Sequence, residues 1–213
     1  MSSFRRRTRL QSVESNSDRF GFSYTAADGS HGFPGNKDIK VIYKLTEDNA
    51  VHIKYEAVSD KDTYLNFTNH AYFNLNGYDN GDILAHKLTI DADFFTEVDN
   101  NSIPTGNNIS VDGSVFDFRS PRVIGKDIDD NHIQLQYTGG YDHNFCVNGA
   151  DGTLRRIAVA QADKSGIKMN VYTTLPGLQF YAGNFLKGVI GKNSCPMEKR
   201  SGFCRFFFVL FAS

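Results

Sequence analysis

The chain carries almost no net charge: 23 Lys and Arg stand against 24 Asp and Glu, a balance of −1 over 213 residues. That removes the electrostatic argument for nucleic acid as a partner, and no basic stripe with interleaved aromatics restores it. Cysteine is sparse. Cys146, Cys195 and Cys204 lack the close paired spacing of a zinc site, so no metal is expected, and an odd count favours reduced thiols in the cytosol. No run approaches the roughly 20 apolar residues needed to span a bilayer, so no membrane partner is expected. The start, Met1-Ser-Ser-Phe-Arg-Arg-Arg-Thr-Arg9, lacks the apolar stretch of a secretory signal. A cytoplasmic setting follows, in which the sequons at Asn66, Asn100 and Asn108 stay unmodified. The arginine cluster reads as a solvated terminus, with an organellar targeting segment as the other reading.

Long helical stripes are also missing, apart from a short turn near Gly125 to Asp130, and what fills the chain instead is period-two alternation. Ile39, Val41, Tyr43 and Leu45 share one face, Val51, Ile53, Tyr55 and Ala57 share a face of the next run, and Thr46-Glu-Asp-Asn49 between them predicts a hairpin turn. The alternation returns through Leu88, Ile90 and Ala92, then Ile157 and Val159, then Met169, Val171 and Thr173, with Asp163-Lys-Ser-Gly166 as a turn. With 18 Phe, 10 Tyr and 19 Gly, the pattern predicts an all-β protein, an antiparallel β-sandwich with little helix. Asn107 to Gly113 and Gly149 to Gly152 read as surface loops, and no repeat or linker divides the chain. One domain is expected over 18–204, preceded by a poorly ordered 1–17 and followed by a divergent apolar tail, 205–213. Within that tail Phe206-Phe-Phe-Val-Leu-Phe-Ala212 is an uncharged run of strand formers, read either as a buried last strand or as a replacement segment prone to aggregate.

Three motifs carry chemistry. Asn66-Phe-Thr-Asn-His-Ala-Tyr-Phe-Asn-Leu-Asn-Gly77 sets His70 among asparagines and aromatics, a lining suited to a polyol. Gly140-Tyr-Asp-His-Asn-Phe145 and Pro176-Gly-Leu-Gln-Phe-Tyr-Ala-Gly-Asn-Phe185 follow, and with Asp28-Gly-Ser-His-Gly-Phe-Pro-Gly35 and Ser201-Gly-Phe-Cys204 they stand in one order. In that order the chain resembles the aldose 1-epimerase (galactose mutarotase) family from about Phe20 to Cys204. The resemblance implies the family's β-supersandwich, incomplete here, no cofactor, and a small-molecule sugar partner, a hexopyranose such as galactose or glucose. It says nothing of the oligomeric state.

Mutarotation asks an acid to protonate the ring oxygen while a base takes the anomeric hydroxyl proton. Imidazole suits the acid, since its unperturbed pKa of about 6.5 leaves both protonation states accessible near neutrality. The resemblance places His70 as that acid, through Thr68-Asn-His-Ala-Tyr-Phe73. It places Asp142 and Gln179 on the sugar's hydroxyls. An ionised carboxylate accepts from two hydroxyls at once, and an amide both donates and accepts. The alternative for Asp142 is a loop aspartate capping its own turn, and the sugar role is the favoured reading. Tyr181 shares a strand face with Gln179, and either stacks on the sugar or packs in the core. His143 faces away from Asp142 in an extended segment and reads as structural. Asn69 and Asn74 read as supports for His70.

Two departures from the family pattern bear on turnover. The family's general base is a glutamate two residues beyond Gly-Phe-Cys, where this chain has Phe206. A binding arginine and a second binding histidine belong to a segment that precedes the Asp-Gly-X-X-Gly-Phe-Pro-Gly motif in the family and has no counterpart here. Glu198 corresponds to another family position. The expectation is therefore an aldose 1-epimerase family protein with impaired catalysis, the alternatives being a noncatalytic sugar-binding relative or an incomplete chain.

Overall fold

Alternating apolar positions in the first third of the chain become a four-stranded antiparallel meander in the computed structural model, which describes the backbone of residues 11–208 and the side chains of 15–204. The chain divides into two compact units, 1–67 and 68–213, and no linker-like composition marks the boundary. In the first unit β1 (Gln11–Ser15), β2 (Arg19–Ala26), β3 (Lys37–Leu45) and β4 (Val51–Ser59) pair in sequence order. The hairpin predicted between β3 and β4 is present, closed by Thr46 and Ala50 backbone bonds, with Leu45 opposite Val51. Tyr55 stacks on Phe67 with ring centroids 5.7 Å apart. Strand β1 falls inside the stretch expected to lack order. It forms because ladder bonds to β2 use backbone groups alone and need no apolar face. Residues 1–10 lie outside the described residues.

The second unit holds β5 (Tyr72–Phe73), β6 (Lys87–Ile90), β7 (Ala92–Val98), β8 (Pro104–Ser110), β9 (Arg122–Val123), α1 (Ile133–Thr138), β10 (Asp142–Val147), β11 (Arg155–Gln161), β12 (Lys168–Thr173), β13 (Gly177–Tyr181), β14 (Val189–Ile190), β15 (Pro196–Met197) and β16 (Phe203–Phe208). Six of these form one sheet in the order β5-β16-β13-β10-β7-β8, and four form another in the order β12-β11-β6-β9. The strands within both sheets pair antiparallel. The core of this unit joins Phe95, Phe145, Leu178, Phe180 and Phe203 of the larger sheet to Leu88, Ile90, Ile157 and Ala160 of the smaller, with Phe116 and Phe118 between strands. Phe95 stacks on Phe116 at 4.1 Å.

Two local expectations differ from the structure. Asn107 to Ser110, read as loop, lie in β8, where Asn108 stands opposite Thr96 and Ile109 opposite Phe95; polar composition masked a strand that lies at the sheet edge. The alternation through Leu88, Ile90 and Ala92 is two strands. At Asp91 the chain leaves the smaller sheet for the larger, its N–H donating to Ile157 and its carbonyl accepting from Asn148. Of the apolar tail, Phe206 to Phe208 are backbone-paired to β13 as the end of β16, and residues 209–213 lie outside the described residues. Among the described residues no helix is long and apolar enough to cross a membrane.

Candidate active site

Ladder register, rather than any loop, assembles the candidate site. Tyr72 on β5 stands opposite Cys204 on β16, Cys204 opposite Tyr181 on β13, and Tyr181 opposite Asp142 on β10. Residues directly across a ladder share a face, so this row runs over four strands. Gln179, two residues before Tyr181, shares its face. Its Nε2 donates to Asp142 Oδ1 at 2.7 Å.

The turn that delivers Asp142 is tightly held. Gly139 ends α1 at φ 65°, and Gly140 follows at φ 133°, where a Cβ would collide with the Asn184 amide. Asn184 Nδ2 in turn donates to the carbonyls of Thr138 and Tyr141, at 3.1 and 3.0 Å. A side chain at 140 would be doubly excluded, by its backbone angle and by Asn184. Tyr141 is fully buried and its hydroxyl donates to Val115 O at 2.9 Å.

His70 sits just ahead of β5 and is exposed. Its ring lies 5.0 Å from that of Tyr72, which meets Tyr181 edge-on at 6.2 Å. His70 Nδ1 is 3.3 Å from Cys204 Sγ. Asn69 Oδ1 accepts from Ala71 N at 2.9 Å, closing the turn immediately after His70, and Asn74 Nδ2 donates to the carbonyls of Gly81 and Ser201. The structure thus brings His70, Asp142, Gln179 and Tyr181 to one patch of the larger sheet. It adds Tyr72 and Cys204, which sequence reasoning did not single out. Tyr72 had one available signal, its i+2 spacing from His70; Cys204 had none beyond its motif.

Partial burial shapes the electrostatics of the row. Burial raises the Asp142 carboxyl above its ordinary 3.8, against the lowering effects of the Gln179 amide and of a charge on His70. Burial also pushes the Tyr72 phenol up to about 12, with Tyr181, Cys204 and Asp142 adding to the rise. Tyr181 moves up too, chiefly by burial, while its hydroxyl oxygen accepts from Phe185 N at 2.9 Å. Both phenols are neutral at pH 7 and present O–H groups. Because the Asp142 pKa is raised, its ionisation opposes folding increasingly as pH climbs through the folded-state value. Asp142→Asn, which can still accept from Gln179, is therefore expected to melt higher than the parent at pH 7. That gain should shrink as the pH is lowered towards 3.8, and a variant that melts lower at pH 7 would contradict the burial argument.

His143, next to Asp142, points into the core. It is fully buried, edge-on to Phe95 and Phe116 at 5.6 and 4.7 Å, and its Nδ1 accepts from Asp142 N at 3.2 Å. Beyond Gln179 the sheet face continues through Asn144, opposite it on β10, whose Nδ2 donates to Thr96 Oγ1 at 3.0 Å. Among the described residues no cluster of metal-ligating side chains occurs.

A sequence model of the family described as Aldose 1-epimerase matches residues 3–207. This chain belongs to the aldose 1-epimerase family. Galactose mutarotase of Bos taurus is 43% identical to it over 184 residues, 86% of this chain and 52% of that protein. Aldose 1-epimerase of Escherichia coli K12 is 41% identical over 198 residues, 91% of this chain and 56% of that one. The crystal structure of galactose 1-epimerase from Lactobacillus acidophilus NCFM matches with a TM-score of 0.80 at 28% identity, covering 95% of this chain and 58% of that chain. The chain spans about half the length of the curated relatives it matches.

Proposed function

We propose that this aldose 1-epimerase family chain holds a hexopyranose such as galactose or glucose against the row Tyr72, Cys204, Tyr181 and Asp142, without a cofactor. The reading rests above all on the Gln179 to Asp142 bond. It ties one carboxylate oxygen to an amide, while the other has no protein donor among the described residues. A carboxylate with one oxygen fixed and the other offered is suited to a sugar hydroxyl. Tyr181 and Tyr72 supply aromatic surface for the apolar C–H face, and His70 supplies the acid at the ring oxygen. Cys146, Cys195 and Cys204 form no disulfide among the described residues, in keeping with a cytosolic setting.

Turnover needs a base as well. As the acid protonates the ring oxygen, the C1–O5 bond opens only if the anomeric hydroxyl gives up its proton, and phenylalanine at 206 cannot accept it. The reading is therefore of a sugar-binding chain with poor mutarotase activity. Polarimetry on freshly dissolved α-galactose at neutral pH tests this. The parent chain, His70→Ala and buffer should give nearly coincident traces, while a protein-dependent rate that His70→Ala abolishes would require another base. Titration calorimetry with galactose tests the grip separately: Asp142→Ala should bind more weakly than the parent, and equal affinities would remove Asp142 from the site.

A further inference from the structure

Cys204 is fully buried, and two contacts of its sulfur bear on where His70 carries its hydrogen. Sγ lies 2.9 Å from Ala71 O and 3.3 Å from His70 Nδ1. A thiol has a single hydrogen. A thiolate or a lone pair held that close to a carbonyl oxygen would be repelled, so the S–H is directed at Ala71 O. The sulfur then meets His70 with a lone pair, and the hydrogen in that contact belongs to Nδ1.

We propose that Cys204 is a positioning residue that holds His70 as its Nδ1–H tautomer, leaving Nε2 as the nitrogen that exchanges a proton with the sugar. The proposal rests on the reading of His70 as the acid. Its chemical consequence is that no tautomer change is needed during a cycle. As imidazolium, the ring passes its Nε2 proton to the ring oxygen while C1–O5 opens and solvent water takes the anomeric hydroxyl proton. His70 is then the neutral Nδ1–H form, and Nε2 takes its proton back, restoring imidazolium, when the ring closes and the anomeric oxygen is reprotonated. The surrounding backbone reinforces the arrangement. Cys204 is in register with Tyr72, and Ala71 is held at its carbonyl by the thiol and at its N–H by Asn69. The same geometry excludes Cys204 as a nucleophile, because its hydrogen is committed to a carbonyl and its sulfur is out of solvent.

The test is nitrogen-15 NMR of the full chain labelled at the histidine rings, above the pH at which imidazole is protonated, with His70 assigned by the signals lost in His70→Ala. The parent should show Nδ1 as the protonated nitrogen and Nε2 as the unprotonated one. An Nε2–H pattern in the parent overturns the proposal without recourse to any variant. Cys204→Ser, which keeps one donor and a lone pair, should retain the parent pattern. Cys204→Ala should shift it to a mixture of tautomers, and an unchanged pattern there would reduce Cys204 to packing. The spectrum needs no turnover, so absence of mutarotation would not mimic failure of the tautomer lock. Loss of sugar binding alone would count against the wider reading only.

Discussion

Replacing Phe206 by glutamate is expected to raise the rate of α-galactose mutarotation by roughly 10²- to 10⁴-fold over the parent chain, the usual contribution of a positioned general base. Position 206 is opposite Gln179 in the ladder and two residues along β16 from Cys204. Its strand pairs with the one that carries Gln179, which in turn neighbours the strand that carries Asp142. His70 and the new carboxylate could then act on the same ring opening, the acid at the ring oxygen and the base at the anomeric hydroxyl. The double variant Phe206→Glu with His70→Ala should fall back to the parent rate. A Phe206→Glu chain that binds galactose but mutarotates no faster than the parent would show that the base is not what limits it.

Lowering the pH from about 6.5 towards 3 should progressively destabilise the chain, with His143 as the largest single cause. Burial drops its pKa from 6.5 to about 3. The unfolded chain therefore takes up a proton in that window and the folded chain does not, so stability rises with pH across it and is lost as pH falls. At about 1.4 kcal/mol for each pH unit between the two values, the effect is on the order of 4–5 kcal/mol. The structural reason is specific. Nδ1 accepts from Asp142 N, and Nε2 has no partner among the described residues, so protonating the ring breaks one bond and strands a charge among Phe95 and Phe116. His86, fully buried with Nε2 accepting from Leu75 N, is lowered for the same reason and acts in the same direction. Asp142 acts in the opposite one. Urea midpoints measured from pH 7 down to 4 should fall steeply for the parent and less for His143→Asn. Parallel slopes would contradict the assignment.

Much of the fold was legible in period-two alternation, since each apolar face in β3, β4, β11 and β12 recurs every second residue and turns rich in Asp, Asn and Gly separate them. His70, Asp142 and Gln179 were singled out because their motifs resemble the family's. Partnerships were not legible. That Cys204 meets both His70 and Ala71, or that Tyr72, Cys204, Tyr181 and Asp142 form a row, follows from which residue faces which across a ladder, and one sequence contains no record of register. The break at Asp91 was hidden for a related reason, since alternation counts residues and does not reveal a change of sheet. Strands β1 and β8 escaped because pairing through the backbone asks little of side chains at a sheet edge.

The shortness of β5 divides the site into parts of unequal steadiness. Asp142 and Gln179 lie on strands with a neighbour on each side, whereas β5 is a terminal strand joined to β16 by only two residue pairs, Phe73 with Phe203 and Tyr72 with Cys204. Openings that release so short an edge require far less free energy than global unfolding. Amide exchange should accordingly be fast at Tyr72 and Phe73 and slow at Asn144 and Gln179. If the proposed function holds, warming would release the acid at His70 while the grip of Asp142 and Gln179 persists, and sugar binding would outlast protonation of the sugar.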